Sequence, residues 1–300
     1  MSREADAGVG SRQVSRGMHA LLYLLTALTF LVGTQLLILA EYTDQFFSWT
    51  IGVPMTAAFV GAGFWGAAVV VFWCARQRDW ARGRVVIPTV AIVVTMLLIA
   101  TLQNLDQFHG LLGLAWIEVY VLFGPALGAI TIMQLAKPGV DRHSGVRLQG
   151  WLRLVFAAQA VIAIAFGALL FISSPSLADS VWPWPLTDLT SKAIGTWLVG
   201  TGATCGVISL LDDRHAMPGW ALAQIAFAGA VLLSLLRFSE DVDFGELSAW
   251  LLVLFFASML VSGVFAAWSA WREGRYAPIE AAGGIPVELR GSSITRETLR

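Results

Sequence analysis

Eight long apolar runs, separated by short polar segments, dominate the sequence. They fall near residues 18–40, 52–74, 85–103, 111–134, 152–173, 189–211, 219–237 and 247–270. A bilayer core of about 30 Å requires roughly 20 apolar residues in a helix, and these runs lack the period of two that barrel strands show. The pattern therefore predicts an all-α integral membrane bundle of eight transmembrane helices.

The polar segments between the runs are too short to form folded domains. The sequence predicts five parts: a cytoplasmic N-terminal segment (1–17), a first four-helix membrane repeat (18–134), a cytoplasmic linker (135–151), a second four-helix membrane repeat (152–270) and a flexible cytoplasmic tail (271–300). The first run is too long for the apolar region of a signal peptide, so we expect it to remain as a helix.

Charge predicts the orientation of the bundle. Of the 19 basic residues, all except Lys192 and Arg237 fall on the side of the helices that also carries both termini. Because basic residues concentrate on the cytoplasmic side of a membrane, both termini are expected to be cytoplasmic, in a plasma (inner) membrane. The opposite side carries ten of the 20 acidic residues but only two of the basic ones, so the net charge of −1 conceals a basic inner face and an acidic outer face.

The two halves of the chain resemble each other at a spacing of 134 to 136 residues, which predicts two tandem parallel repeats. Because each repeat has an even number of spans, the two would be related by an axis along the membrane normal. The matched pairs are Gly33 with Gly167, Leu36 with Leu170, Asp44 with Asp179, Trp49 with Trp184, Gly61 with Gly195, Gly66 with Gly200, Asp106 with Asp241, and Trp116 with Trp250.

Composition limits the function classes. The chain is 57% hydrophobic and 13% charged, with a mean hydropathy of +0.72, which excludes a soluble domain of this length. The basic loops are too sparse for nucleic-acid binding, so membrane lipids are the expected neighbours, with other membrane proteins or a second copy of the chain as further candidate partners. No nucleotide-binding, protease or hydrolase signature is present, and the sequence assigns no cofactor, metal site or catalytic residue.

Glu118 is the most conspicuous candidate for a ligand-binding or ion-pair site. It lies about seven residues into the fourth run, where an isolated carboxylate is costly, so we expect it to face the interior, be protonated or pair. Lys192 and Arg237 are the two cations in the same half of the membrane and are the predicted partners. Asp106 and His109, at the outer mouth, form a second candidate group. A structural salt bridge or snorkelling side chains is the competing interpretation.

Small and amide residues predict helix packing. Gly124 with Gly128 and Gly202 with Gly206 have the small-xxx-small spacing that lets helices approach closely. Glutamines within the runs, including Gln159 and Gln224, are expected to form hydrogen bonds between helices.

Three segments carry a family resemblance: WPWPLTDLTSKAIGTWL from Trp182, LDQFH from Leu105 and AWIEVY from Ala115. With these segments, the chain resembles a family of eight-span membrane proteins from actinobacteria that has no assigned activity. The resemblance covers most of the membrane region and implies no reaction or ligand.

The leading functional prediction is binding or transport of a small ion, lipid or metabolite through an outward-facing intramembrane cleft. One alternative is a non-catalytic scaffold or subunit of an envelope membrane complex, and another is a lipid-modifying membrane enzyme. Transport predicts a polar cleft that reaches mid-membrane, a scaffold predicts a dry interior, and an enzyme predicts clustered carboxylates or histidines near the outer headgroups.

Overall fold

The computed structural model describes residues 11–141 and 146–276, and this part of the chain is helical without a β-sheet. Its eight long helices are labelled here in chain order: α1 (Arg16–Ile38), α2 (Pro54–Ala75), α3 (Ile87–Gln103), α4 (Gly110–Leu135), α5 (Gly150–Ile172), α6 (Asp188–Leu211), α7 (Met217–Arg237) and α8 (Leu247–Tyr276). Each is long and apolar enough to cross a membrane once the turn Trp80–Gly83 and the 3-10 segment Arg84–Val86 are counted with α3. The eight predicted helices are confirmed, as expected for a multi-pass membrane protein.

Local signals set several helix starts. The Ser15 hydroxyl accepts a hydrogen bond from the Met18 amide at 3.1 Å and caps α1. Thr187 and Thr190 form a reciprocal capping box at the start of α6. Proline stands in the first turn of α2, where its missing N–H has no helical partner to lose. Further short helical segments lie at Ala40–Tyr42, Thr43–Phe46, Leu105–Gln107, Pro175–Val181, Arg214–Ala216 and Ser239–Asp241.

The helices alternate in direction, so their charged ends gather at opposite ends of the bundle. The basic end carries Arg12, Arg76, Arg78, Arg82, Arg84, Arg147 and Arg153, and the acidic end carries Glu41, Asp44, Asp106, Asp179, Asp188, Glu240, Asp241, Asp243 and Glu246. The predicted tail lies outside the described residues beyond 276, and α8 continues through the first six residues assigned to it.

Helices α2 and α6 form the centre of the bundle. Within an apolar stretch of 18 residues in each helix, 72% of the residues are buried in α2 and 67% in α6, against 22% in α4 at the periphery. Helix α2 packs on α1 and α7, α6 packs on α5 and α3, and α2 and α6 also contact each other. Because α2 contacts α7 and α6 contacts α3, the N-terminal and C-terminal halves interlock.

Two close helix crossings occur at paired glycines. A Cβ atom built on Gly61 would lie 3.0 Å from the carbonyl oxygen of Gly33, where α2 crosses α1. A Cβ atom on Gly195 would lie 2.5 Å from the carbonyl oxygen of Gly167, where α6 crosses α5. Any side chain at these positions would force the helices apart, so glycine is required for the observed packing.

The two small-xxx-small predictions have different outcomes. Gly202 lies against α5, with a built Cβ 2.8 Å from the carbonyl oxygen of Ala160. By contrast, a built Cβ on Gly124 meets only Val94, at 3.8 Å, and one on Gly128 meets nothing within 4 Å. The predicted close approach at Gly124 and Gly128 is therefore wrong, and α4 leaves space beside this face.

Candidate functional site

The predicted partners of Glu118 bind other groups. Lys192 forms an ion pair with Asp188, one turn earlier on α6, and Asp188 also accepts a hydrogen bond from the Asn104 amide at 3.0 Å. The Arg237 guanidinium donates to the carbonyl oxygen of Leu37 at 2.8 Å and lies 4.5 Å from the centroid of the Phe238 ring. No direct ion pair joins Glu118 to either cation among the described residues, and their pairing through water stays a prediction.

The reason lies in which face of α4 is buried. Trp116 and Tyr120 are buried, and Glu118 stands between them in sequence. Residues two positions apart on a helix point in nearly opposite directions, so Glu118 lies on the exposed face of α4. The sequence indicates its depth in the run but not the face on which it lies.

Asp106 and His109 each bond to a different neighbour. Asp106 accepts a hydrogen bond from the adjacent Gln107 amide, and the ring nitrogen Nε2 of His109 lies 3.3 Å from the Thr50 hydroxyl. Within the described ranges, no group of three or more His, Cys, Asp or Glu side chains could hold a metal ion. The predicted site residues are thus dispersed over the acidic end and the exposed face of α4.

The bundle contains an apolar cavity of about 260 Å³ enclosed by α1, α2, α3 and α4. Helices α6 and α7 close its far side with Trp197, Trp220 and Phe227. Among the described residues, its lining consists of aliphatic and aromatic side chains and a few neutral polar groups, with no charged side chain. Such a lining lacks the charged groups that were expected along an ion pathway.

The cavity is elongated along the helices. On α4 it is lined from Leu112 to Phe123, which spans about 16 Å at 1.5 Å per residue. On α1 the lining extends from Leu25 to Gln35, a similar length.

Helices α1 and α4 meet at the basic end. The Gln134 side chain of α4 is fully buried there, accepting from the Ser15 amide at 2.7 Å and donating to the Gln13 carbonyl at 2.9 Å. Toward the acidic end, four residues that line the cavity are exposed: Leu31 of α1 (64%), Phe46 of the segment Thr43–Phe46 (45%), and Leu112 (48%) and Ala115 of α4. The cavity therefore opens sideways between α1 and α4, in the part of the bundle nearer the acidic end.

The C-terminal half has a buried polar network. Gln159 donates to the hydroxyls of Ser258 and Ser262 at 3.2 and 3.1 Å, and Gln224 donates to Gln159 Oε1 at 2.8 Å. This buried network joins α5, α7 and α8. It confirms the predicted role of Gln159 and Gln224 in bonding helices together.

The residues 134 positions earlier cannot form such a network. Leu25 and Val90 stand where the C-terminal half has Gln159 and Gln224, and Gly124 and Gly128 stand where it has Ser258 and Ser262. Leu25 and Val90 line the cavity. At these positions the N-terminal half thus has two apolar side chains beside the cavity and two glycines, where the C-terminal half has amide and hydroxyl groups.

The lining includes a residue with an unpaired neutral hydrogen-bond donor. The Trp197 side chain lines the cavity, is 5% exposed, and its indole nitrogen has no hydrogen-bond partner among the described residues. An unpaired buried donor costs about 1–3 kcal/mol. Sequence reasoning missed Trp197, although its place nine residues into α6 is a usable signal, because tryptophan in membrane helices is enriched near their ends.

The chain matches no protein-family model, no curated protein and no solved structure. The resemblance to the actinobacterial family therefore stays a prediction.

Proposed function

We propose that the protein is a multi-pass membrane protein that binds a lipid-like apolar molecule in the cavity between α1 and α4. The uncharged lining of that cavity carries the proposal. An ion or a hydrophilic metabolite would lose its hydration there without charged or coordinating groups to replace it. A hydrocarbon chain has no such hydration to lose, and the elongated apolar cavity matches its shape.

Such a molecule would enter from the lipid rather than from water. The opening between Leu31 and Leu112 faces sideways, as a lipid-facing portal would. We place the basic end in the cytoplasm of a plasma membrane by the positive-inside bias. On this orientation the portal lies in the outer leaflet, and the fixed contact of Gln134 with Gln13 and Ser15 lies on the cytoplasmic side.

We also propose that the chain consists of two tandem four-helix repeats that have diverged. The glycine crossings support this. Gly33 contacts Gly61, and Gly167, 134 residues after Gly33, contacts Gly195, 134 residues after Gly61. Further, a Cβ on Gly66 would meet Phe227 at 2.8 Å, and one on Gly200, 134 residues later, would meet Val93, which is 134 residues before Phe227. The N-terminal repeat would bind the ligand, and the C-terminal repeat would support it.

Photolabelling in a defined membrane tests the binding proposal. The full-length protein is placed in phosphatidylcholine vesicles in which a fraction of the lipid carries a diazirine on its acyl chain. After irradiation, we expect label on Val90 and Tyr120, which are 9% and 7% exposed and line the cavity. Lipid outside the bundle does not reach these two side chains.

Matched variants separate the cavity from the outer surface. Ala67→Phe places a ring into the cavity, and we expect it to abolish labelling of Val90 and Tyr120. Ala27→Phe places the same ring on the exposed face of α1 and should leave labelling unchanged. Absence of label at Val90 and Tyr120 in the wild-type protein would refute the proposed function and favour the scaffold alternative.

A further inference from the structure

The cavity contains hydrogen-bond donors but no charge among its described lining residues. Trp197 presents its unpartnered indole N–H within the lining, and Thr201, one turn further along α6, lines the same space and is 5% exposed. The Trp197 ring is held in place from two sides. Its centroid lies 4.7 Å from that of Phe64 at an interplanar angle of 71°, and on another side it lies against the backbone of Gly63.

These donors lie deep in the bundle. Trp197 is nine residues from the start of α6, which places it about 14 Å from the acidic end. In a hydrocarbon core of about 30 Å this is close to the middle. A charged headgroup would not follow its chain to this depth, because the lining offers no counter-charge.

From this arrangement we infer that the ligand is an uncharged lipid whose polar end carries a carbonyl oxygen, which accepts a hydrogen bond from Trp197 Nε1. The inference rests on the proposed function and narrows its ligand class. Ester carbonyls of a diacylglycerol and ring carbonyls of a prenylated quinone share this chemistry. A charged phospholipid would instead place only its acyl chain in the cavity and leave the indole N–H unpaired.

Competition against the diazirine lipid tests this inference in the same vesicles. The competitors are dioleoylglycerol, a prenylated benzoquinone and squalene, which has no oxygen atom. We expect at least one carbonyl lipid to halve the labelling of Tyr120 at about one fifth of the squalene concentration, the factor that one hydrogen bond provides. Which of the two carbonyl lipids competes identifies the source of the carbonyl.

Two variants assign the effect to the indole N–H. Trp197→Phe keeps a ring against Gly63 and Phe64 but removes the donor. The carbonyl lipids should then compete only as well as squalene, and the competition by squalene should not change. Trp182→Phe is the matched control, because Trp182 also has a buried indole nitrogen without a partner among the described residues but is not part of the cavity lining. Trp197→Leu also removes the donor and serves if Trp197→Phe does not fold.

The outcomes separate the two proposals. Equal competition by squalene and both carbonyl lipids in the wild-type protein would overturn the carbonyl inference and leave lipid binding intact. The carbonyl inference would also be overturned if a folded Trp197→Phe protein showed the same competition as the wild-type protein. Failure of the diazirine lipid to label Tyr120 at all would instead refute the proposed function itself.

Discussion

The indole ring of Trp197 lies directly against the backbone of Gly63, so that a Cβ atom built on Gly63 would be 2.5 Å from the indole Cδ2. The two residues are 134 positions apart, the spacing of the proposed repeats. In the proposed repeats they would occupy matching positions on α2 and α6, the two central helices. A large ring on one helix and no side chain on the other allow these helices to contact each other beside the cavity.

The Gly63→Ala substitution tests this fit. The added methyl group must displace the base of a ring that Phe64 holds on another side, so we expect the free energy of unfolding to fall by about 1–3 kcal/mol. Gly128→Ala is the control, because a Cβ there meets nothing within 4 Å. Unfolding in mixed detergent micelles measures both, and equal stabilities would contradict the account.

The amide network of the C-terminal half predicts a non-additive double substitution. Gln224→Val alone leaves buried Gln159 Oε1 without its 2.8 Å donor and should cost about 1–3 kcal/mol. Adding Gln159→Leu removes the unpaired acceptor and gives both positions the side-chain types of the N-terminal half. We expect the double variant to be at least as stable as the Gln224→Val protein. A further fall in the free energy of unfolding on adding Gln159→Leu would contradict this prediction.

Glu118 and Asp188 should respond in opposite ways to replacement by leucine. Glu118 is exposed and makes no ion pair with Lys192 or Arg237, so Glu118→Leu should leave the stability unchanged or raise it by up to about 1 kcal/mol. Asp188→Leu should destabilise by about 1–3 kcal/mol, because Lys192, with its side chain 13% exposed, loses its partner. A large loss from Glu118→Leu would reveal a partner for this carboxylate.

Cysteine labelling from outside the cell tests the orientation. Ser176 lies at the acidic end and Arg78 at the basic end, and both are exposed. The native Cys74 and Cys205 are buried, so they contribute little background. A membrane-impermeant thiol reagent should modify Ser176→Cys and spare Arg78→Cys. The reverse pattern would invert the bundle and move the portal to the inner leaflet.

The sequence predicts the helices well because their length and polarity are local properties. The predicted start of α4 at residue 111 differs by one residue from Gly110, and the glycines chosen to align the halves, such as Gly61 and Gly195, do lie at close crossings. Hydrogen bonding by Gln159 also follows from the cost of an unpaired amide among apolar helices.

The site could not be predicted in the same way. Whether Glu118 or Trp116 faces the interior depends on the neighbours of α4, which a single run of apolar residues does not specify. The cavity results from residues that are too small or too apolar to fill a space, such as Val90 and Ala67, and these residues are ordinary in a membrane helix. Their role is recognised by comparison with the C-terminal half, and that comparison requires the contacts of both halves.

A structure of the full-length protein in a lipid nanodisc tests the central claim most directly. We expect elongated density between α1 and α4, entering beside Leu31 and Leu112 and reaching Val90, Tyr120 and Trp197. The account would be contradicted if α4 closed against α1 and left no space, or if the same region held a column of water.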